Sequence, residues 1–134
     1  MTIADSRWPD ALAARYRAKG YWLDLPLSEI LNRRADSTAV AVIDGERQLS
    51  YRDLAQRSDR LAAALQRRGL KTGDTAPGQL GKMAEVYVVT FALYKLGVAP
   101  VNALFSHQST EPTPFGSLLQ PARLIAERKH ARCP

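Results

Sequence analysis

Met83 to Leu96 is apolar on nearly every side, with Val86, Val88, Val89, Phe91, Leu93 and Leu96 spread round the circumference of a helix. A helix of that kind needs cover in more than one direction. Gly97 supplies its stop, and Val98 to Asn102 follows as a short extended run. A strand is expected before the helix, at 75–80, and Ala122 to Ala126 resembles a further buried strand. From residue 75 onward, extended and helical segments alternate, which is the pattern of parallel βαβ units. Parallel sheets are covered on both faces, and few elements here could supply that cover. The expected fold class is α/β, in an incomplete form. One feature resists it: Pro77-Gly78 interrupts the first strand, and proline in a central strand is unusual.

The segments before residue 75 are of a different kind. Pro9 suits a first helical position, Leu12 and Tyr16 share a helix face, and Gly20 suits the stop, so 9–19 reads as a short helix. Tyr21, Trp22, Leu23 and Leu25 form an apolar arm that ends at Pro26, and 27–34 reads as a second short helix. Trp8, Tyr16, Tyr21 and Trp22 read as packing groups of this arm. Ala39 to Ile43 is β-prone, Asp44-Gly45 is a turn pair, and Gln48-Leu49 lead away from it, which is a hairpin signal. Ser50 opens the clearest helix, with Asp53 at the capping-box position, Leu54, Leu61 and Leu65 on one face, and Gly69 just past the end. Leu118 and Leu119 suggest one more helical turn before Pro121.

Composition narrows the class. The 134 residues are 46% hydrophobic and 24% charged, which argues against disorder and for a folded domain. The single cysteine, Cys133, excludes a disulfide framework and fits a reducing compartment. Residues 1–9 hold no apolar h-region, and the longest apolar stretch is interrupted by Glu85, so the expectation is a cytoplasmic protein without a membrane span. The net charge is +6. Arg15, Arg17, Lys19, Arg33, Arg34, Arg67, Arg68 and Lys71 neither cluster on one element nor interleave with aromatics, so they read as solvated helix surface rather than as a nucleic-acid face.

The chemistry-bearing motifs are weak on their own terms. Gly78-Gln-Leu-Gly81-Lys82 evokes a phosphate loop, but that loop needs four residues between its glycines and Ser or Thr after the lysine. Here two residues intervene and Met83 follows, so a strand-to-helix turn is expected. Ser106-His107 lacks an orienting carboxylate nearby and reads as a polar loop. His130 and Cys133 have a chelating spacing, but a structural zinc site takes four ligands and His107 is the only other candidate.

Several stretches taken together resemble a known family. Lys19-Gly-Tyr-Trp22, Asp24-Leu-Pro-Leu27, Leu49-Ser-Tyr-Arg-Asp-Leu54, Lys95-Leu-Gly-Val-Ala-Pro-Val101 and Ala103-Leu-Phe-Ser-His-Gln108 look like the N-terminal region of the 2,3-dihydroxybenzoate–AMP ligases, in the ANL superfamily of adenylate-forming enzymes. The resemblance runs over almost all of residues 7–130. It implies a fold that is part of the N-terminal subdomain of the large AMP-binding domain: a helical arm over 1–36 and an incomplete α/β portion over 37–134.

For the full-length family the resemblance implies ATP and Mg as cofactors, a small aryl acid as substrate and an aryl carrier protein as acceptor. The carboxylate of 2,3-dihydroxybenzoate attacks the α-phosphate of ATP, and the acyl group then passes to a carrier thiol in catecholate siderophore synthesis. The family's phosphate loop, aryl pocket, hinge and C-terminal domain all lie beyond the point that matches Pro134. The expectation is accordingly no catalytic, cofactor-binding or metal-binding residue within 1–134 and no activity of this chain alone; the alternative is a non-catalytic interaction module or a fragment that pairs with a complementing polypeptide, and a weaker one is a small basic nucleic-acid binder. Thr75-Ala-Pro-Gly-Gln79 stands where the family has an apolar strand.

Overall fold

A computed structural model describes residues 8–81, 83–102 and 125–126. The elements in chain order are α1 (Asp10–Ala18), α2 (Glu29–Asn32), β1 (Val40–Asp44), β2 (Arg47–Ser50), α3 (Tyr51–Arg67), β3 (Thr75–Gln79), α4 (Glu85–Leu96), β4 (Ala99–Asn102) and β5 (Ile125–Ala126). The strands form an antiparallel hairpin, β1-β2, and a parallel sheet in the order β4-β3-β5. This matches the α/β expectation. The readings at 103–124 and 127–134, including the turn at Leu118-Leu119, Ser106-His107, His130 and Cys133, lie outside the described residues.

The arm folds on itself. Trp8, Tyr16, Tyr21 and Trp22 pack through tilted and edge contacts with ring centroids 5.5–6.5 Å apart, as their reading as packing groups expects. Arg17 donates to both carboxylate oxygens of Asp24, at 2.7 and 3.3 Å. That fork raises the Arg17 pKa and lowers that of Asp24, which is itself held at φ +50°. No α1 residue is buried, so α1 adds little to the core.

The hairpin turns one residue later than its Asp-Gly pair suggests. Asp44 pairs with Arg47, leaving Gly45-Glu46 as the loop, with Gly45 at φ +60°. Glycine at the first central position is what a two-residue turn of the II′ kind requires. Ser50 then ends β2 and caps α3. Its Oγ accepts from the Asp53 N–H at 3.1 Å, and the Ser50 N–H donates to Asp53 Oδ2 at 3.1 Å, completing the capping box. The hydrogen bond from the Ser50 hydroxyl, with help from its N–H, holds the Asp53 carboxyl below the usual aspartate range. Replacement of Ser50 by Ala is expected to lower stability by about 1 kcal/mol. A depressed carboxyl pKa stabilises the fold above the unfolded value, and this is lost as pH falls through the folded value. The variant should therefore show a weaker acid dependence of unfolding midpoint than the parent, measured by urea titration from neutral to strongly acidic pH.

The apolar circumference of α4 is explained by two clusters. On one side Val88 and Phe91 meet Leu31, Val42, Leu49, Leu54, Ala55 and Ala84. On the other, Leu93 packs with Leu70, Ala76 and Val98, joined by Val89 and Leu96. Small residues on α3 (Ala55, Ser58, Ala62) and Ala92 on α4 are buried. Lys95 crosses between these helices: its ammonium reaches Asp59 Oδ1 at 2.6 Å and the Ala55 carbonyl at 3.3 Å.

Pro77 does not interrupt β3. The strand pairs with β4 from Thr75 through Gly78, so Pro77 sits opposite Val101. Pairing with β5 is described at Gly78 and Gln79.

Candidate functional site

Ala84 opens α4 and lacks a side-chain cap of its own. The cap comes from the hairpin: the Ala84 N–H donates to Asp44 Oδ2 at 3.0 Å. One step along, Arg47 Nη2 donates to Glu85 Oε1 at 2.7 Å. This ion pair raises the Arg47 pKa and lowers that of Glu85, mainly through the hydrogen bond itself. The two contacts fasten the hairpin tip to the first turn of α4, where a carboxylate also complements the helix dipole.

A groove of about 790 Å³ opens beside this junction. Its walls are Val42 and Ile43 from β1, Val86, Tyr87, Val89, Thr90 and Leu93 from α4, and Ala76, Gly78, Pro100 and Asn102 from the sheet. Leu80, Gly81 and Met83 close it at the β3–α4 connection. Among the described residues the lining is mostly aliphatic, and Asp44 is the only charged side chain in it. The groove reaches the carboxyl ends of β3 and β4, the edge at which α/β sheets bind ligands.

The lining does not form a nucleotide cradle. Gly78 lies within β3, and Gly81 in the connection to α4, as the strand-to-helix reading expects; Lys82 is outside the described residues. Among the described residues no three His, Cys, Asp or Glu side chains gather as a metal could use them. The described residues do not fit ATP with Mg. Among the described residues, no helix is long and apolar enough to cross a membrane.

Seven of the eight basic residues singled out in the sequence, all but Lys71, have a common position. Arg15, Arg17 and Lys19 lie in the last turn and C-cap of α1, Arg33 at the C-cap of α2 with Arg34 next to it, and Arg67 and Arg68 at the end of α3. Cations at helix C-termini offset the negative end of the macrodipole. Arg34 also lies over the Tyr51 ring at 5.4 Å, and Arg33 approaches Glu29 at 3.8 Å. Sequence reasoning missed the groove rim. Ile43 belongs to the β-prone run, and a bulky apolar residue next to the buried Val42 on the alternating strand pattern points outward.

This arrangement of arm, hairpin, two helices and a partial parallel sheet recurs in known proteins. The AMP-binding enzyme family matches residues 27–113. Enterobactin synthase component E of Escherichia coli is 60% identical over 131 residues, covering 98% of this chain and 24% of that protein. A 2,3-dihydroxybenzoate-AMP ligase of Bacillus subtilis is 40% identical over 120 residues, covering 88% of this chain and 22% of that protein. Among solved structures, apo MbtA of Mycobacterium smegmatis superposes with a TM-score of 0.83 at 34% identity, covering 89% of this chain and 23% of that one. The chain thus spans about a quarter of the length of the curated relatives it matches. The fold is part of the N-terminal subdomain of adenylate-forming enzymes, and the chain belongs to the AMP-binding enzyme family.

Proposed function

We propose that these residues are scaffold from an enzyme that adenylates 2,3-dihydroxybenzoate with ATP and passes the acyl group to an aryl carrier protein in siderophore synthesis. The observation that carries this reading is the 60% identity to enterobactin synthase component E along 98% of the chain. In it the 1–36 arm and the 37–134 portion position neighbouring segments and do no chemistry themselves. Among its described residues the groove offers no donor set for developing negative charge at phosphorus, which is where such catalysis is concentrated. The 134-residue chain alone is accordingly inactive.

The test is a chimera in which residues 1–134 replace the matching region of the E. coli protein. Its ATP–pyrophosphate exchange, dependent on 2,3-dihydroxybenzoate, should lie within about tenfold of the parent, a difference of about 1.4 kcal/mol. The isolated chain should give none. A folded chimera without exchange removes this reading, and exchange by the isolated chain removes the scaffold role.

A further inference from the structure

Arg17, in the last turn of α1, touches two residues beyond the end of that helix. Its guanidinium lies over the Trp22 ring at 5.4 Å, and its Nε and Nη2 donate to Asp24 Oδ2 and Oδ1 at 2.7 and 3.3 Å. A planar fork can stack on one group and pair with another at once, which an ammonium cannot. Together these contacts close a tight chain reversal. Gly20 turns the chain at φ +70°, and the Tyr21 and Trp22 N–H groups both return to the Tyr16 carbonyl, at 2.9 and 3.4 Å.

Asp24 is where the reversal meets backbone resistance. At φ +50° it is the one non-glycine residue held left-handed among the described residues. Aspartate enters that region more readily than most residues, but still at a cost. The fork opposes that cost, because it forms only while the chain doubles back toward α1. The Arg17 and Asp24 side chains are 51% and 61% exposed, and an ion pair that exposed is weak and screened by salt. A small cost set against a small gain leaves two arrangements close in free energy, so modest changes shift their populations. Both core clusters are built from Leu31 onward, so exchange between the two arrangements leaves the body of the fold in place.

We propose that the Arg17–Asp24 fork is an ionic clasp, a two-state device that sets the direction in which the chain leaves α1. Closed, it holds Asp24 left-handed. Open, residue 24 returns to the extended region, and the flanking Leu23 and Leu25 are re-aimed. Hydrogen exchange of the Tyr21 and Trp22 amides, followed by NMR on the 134-residue chain, reads the open fraction, because both amides lose their Tyr16 partner when the reversal opens. From low salt to about 1 M, where the Debye length is about 3 Å, exchange at these two amides should quicken by about two- to fivefold. Asp24→Asn tolerates the same backbone and carries no charge, so it should exchange at the faster rate in both conditions.

Two further variants separate the fork from the backbone. Asp24→Ala loses the fork and keeps a side chain that resists the left-handed region, so it should exchange fastest. Asp24→Gly loses the fork and the resistance together, so it should fall between Asp24→Ala and the parent. Arg17→Ala should quicken the two amides at least as much as Asp24→Asn. In every variant the Val98 amide, bonded to the Leu93 carbonyl in the body, should exchange as in the parent, and the melting temperature should stay within about 2 °C. Equal exchange in the parent and Asp24→Asn at low salt overturns the clasp, as does a parent that ignores salt. Equal rates for Asp24→Ala and Asp24→Gly overturn the part given to the residue 24 backbone. Faster exchange that extends to Val98 overturns the arm as a unit that opens by itself.

Discussion

Leu31→Ala is expected to destabilise the protein by about 2–5 kcal/mol, a large share of a stability of about 5–15 kcal/mol. Leu31 is 1% exposed and is the one buried residue of α2. It packs with Val42, Leu49, Leu54, Ala55 and Ala84, which come from the hairpin, α3 and the start of α4. A void at a junction of several elements closes poorly, because each wall is fixed by its own backbone. The neighbouring Ile30 is 62% exposed, and Ile30→Ala should change stability by no more than about 0.5 kcal/mol. Urea unfolding of both variants checks the contrast. Equal costs at the two positions would remove the account of how α2 joins the body.

Gly97→Ala is the second large effect, and it has two separable parts. Gly97 ends α4 at φ +67°, and the Val98 N–H returns to the Leu93 carbonyl at 3.0 Å. A residue with a Cβ in this left-handed conformation costs about 1–2 kcal/mol. In addition, a Cβ there would stand 2.8 Å from Thr72 Cγ2. Thr72 cannot easily turn away, because its hydroxyl donates to the Leu96 carbonyl at 2.8 Å. Overpacking of this sort adds about 1–3 kcal/mol. Thr72→Ser removes the methyl and keeps the hydroxyl, so the double variant should recover the packing part and retain the backbone part. A double-mutant cycle by chemical denaturation measures the coupling. A cycle with no coupling would show that the Thr72 contact does not limit this position.

Much of the fold was legible because its signals are local. Ser50 and Asp53 form the capping box that their spacing implies, and Gly97 stops α4 where a glycine after an apolar helix should. The apolar circumference of α4 announced burial on more than one side, and two separate clusters account for it. Boundaries were less legible. Helix α4 begins at Glu85 rather than Met83, since its first N–H partner is Asp44, forty positions away. Pro77 looked like a break, yet β3 keeps one register with β4 from Thr75 through Gly78.

The candidate site was not legible at all as a site. Of the motifs with chemical character only Gly78 to Gly81 lies among the described residues, and it forms a strand end and a connection to α4. The basic residues were visible one by one, but their shared placement at helix ends emerges only with the helix boundaries. Ile43 and Tyr87 carry no motif, and only the packing of β1 against α4 brings them to one rim.

By itself, then, the sequence determined the order of elements, their caps and stops, and the family likeness, because each depends on residues a few positions apart or on a pattern read in line. Tertiary structure decided which of two adjacent apolar residues is core, how a proline fits a strand, and where an open apolar groove lies. Those outcomes depend on which distant backbones meet, and side-chain burial is a property of that meeting rather than of the side chain.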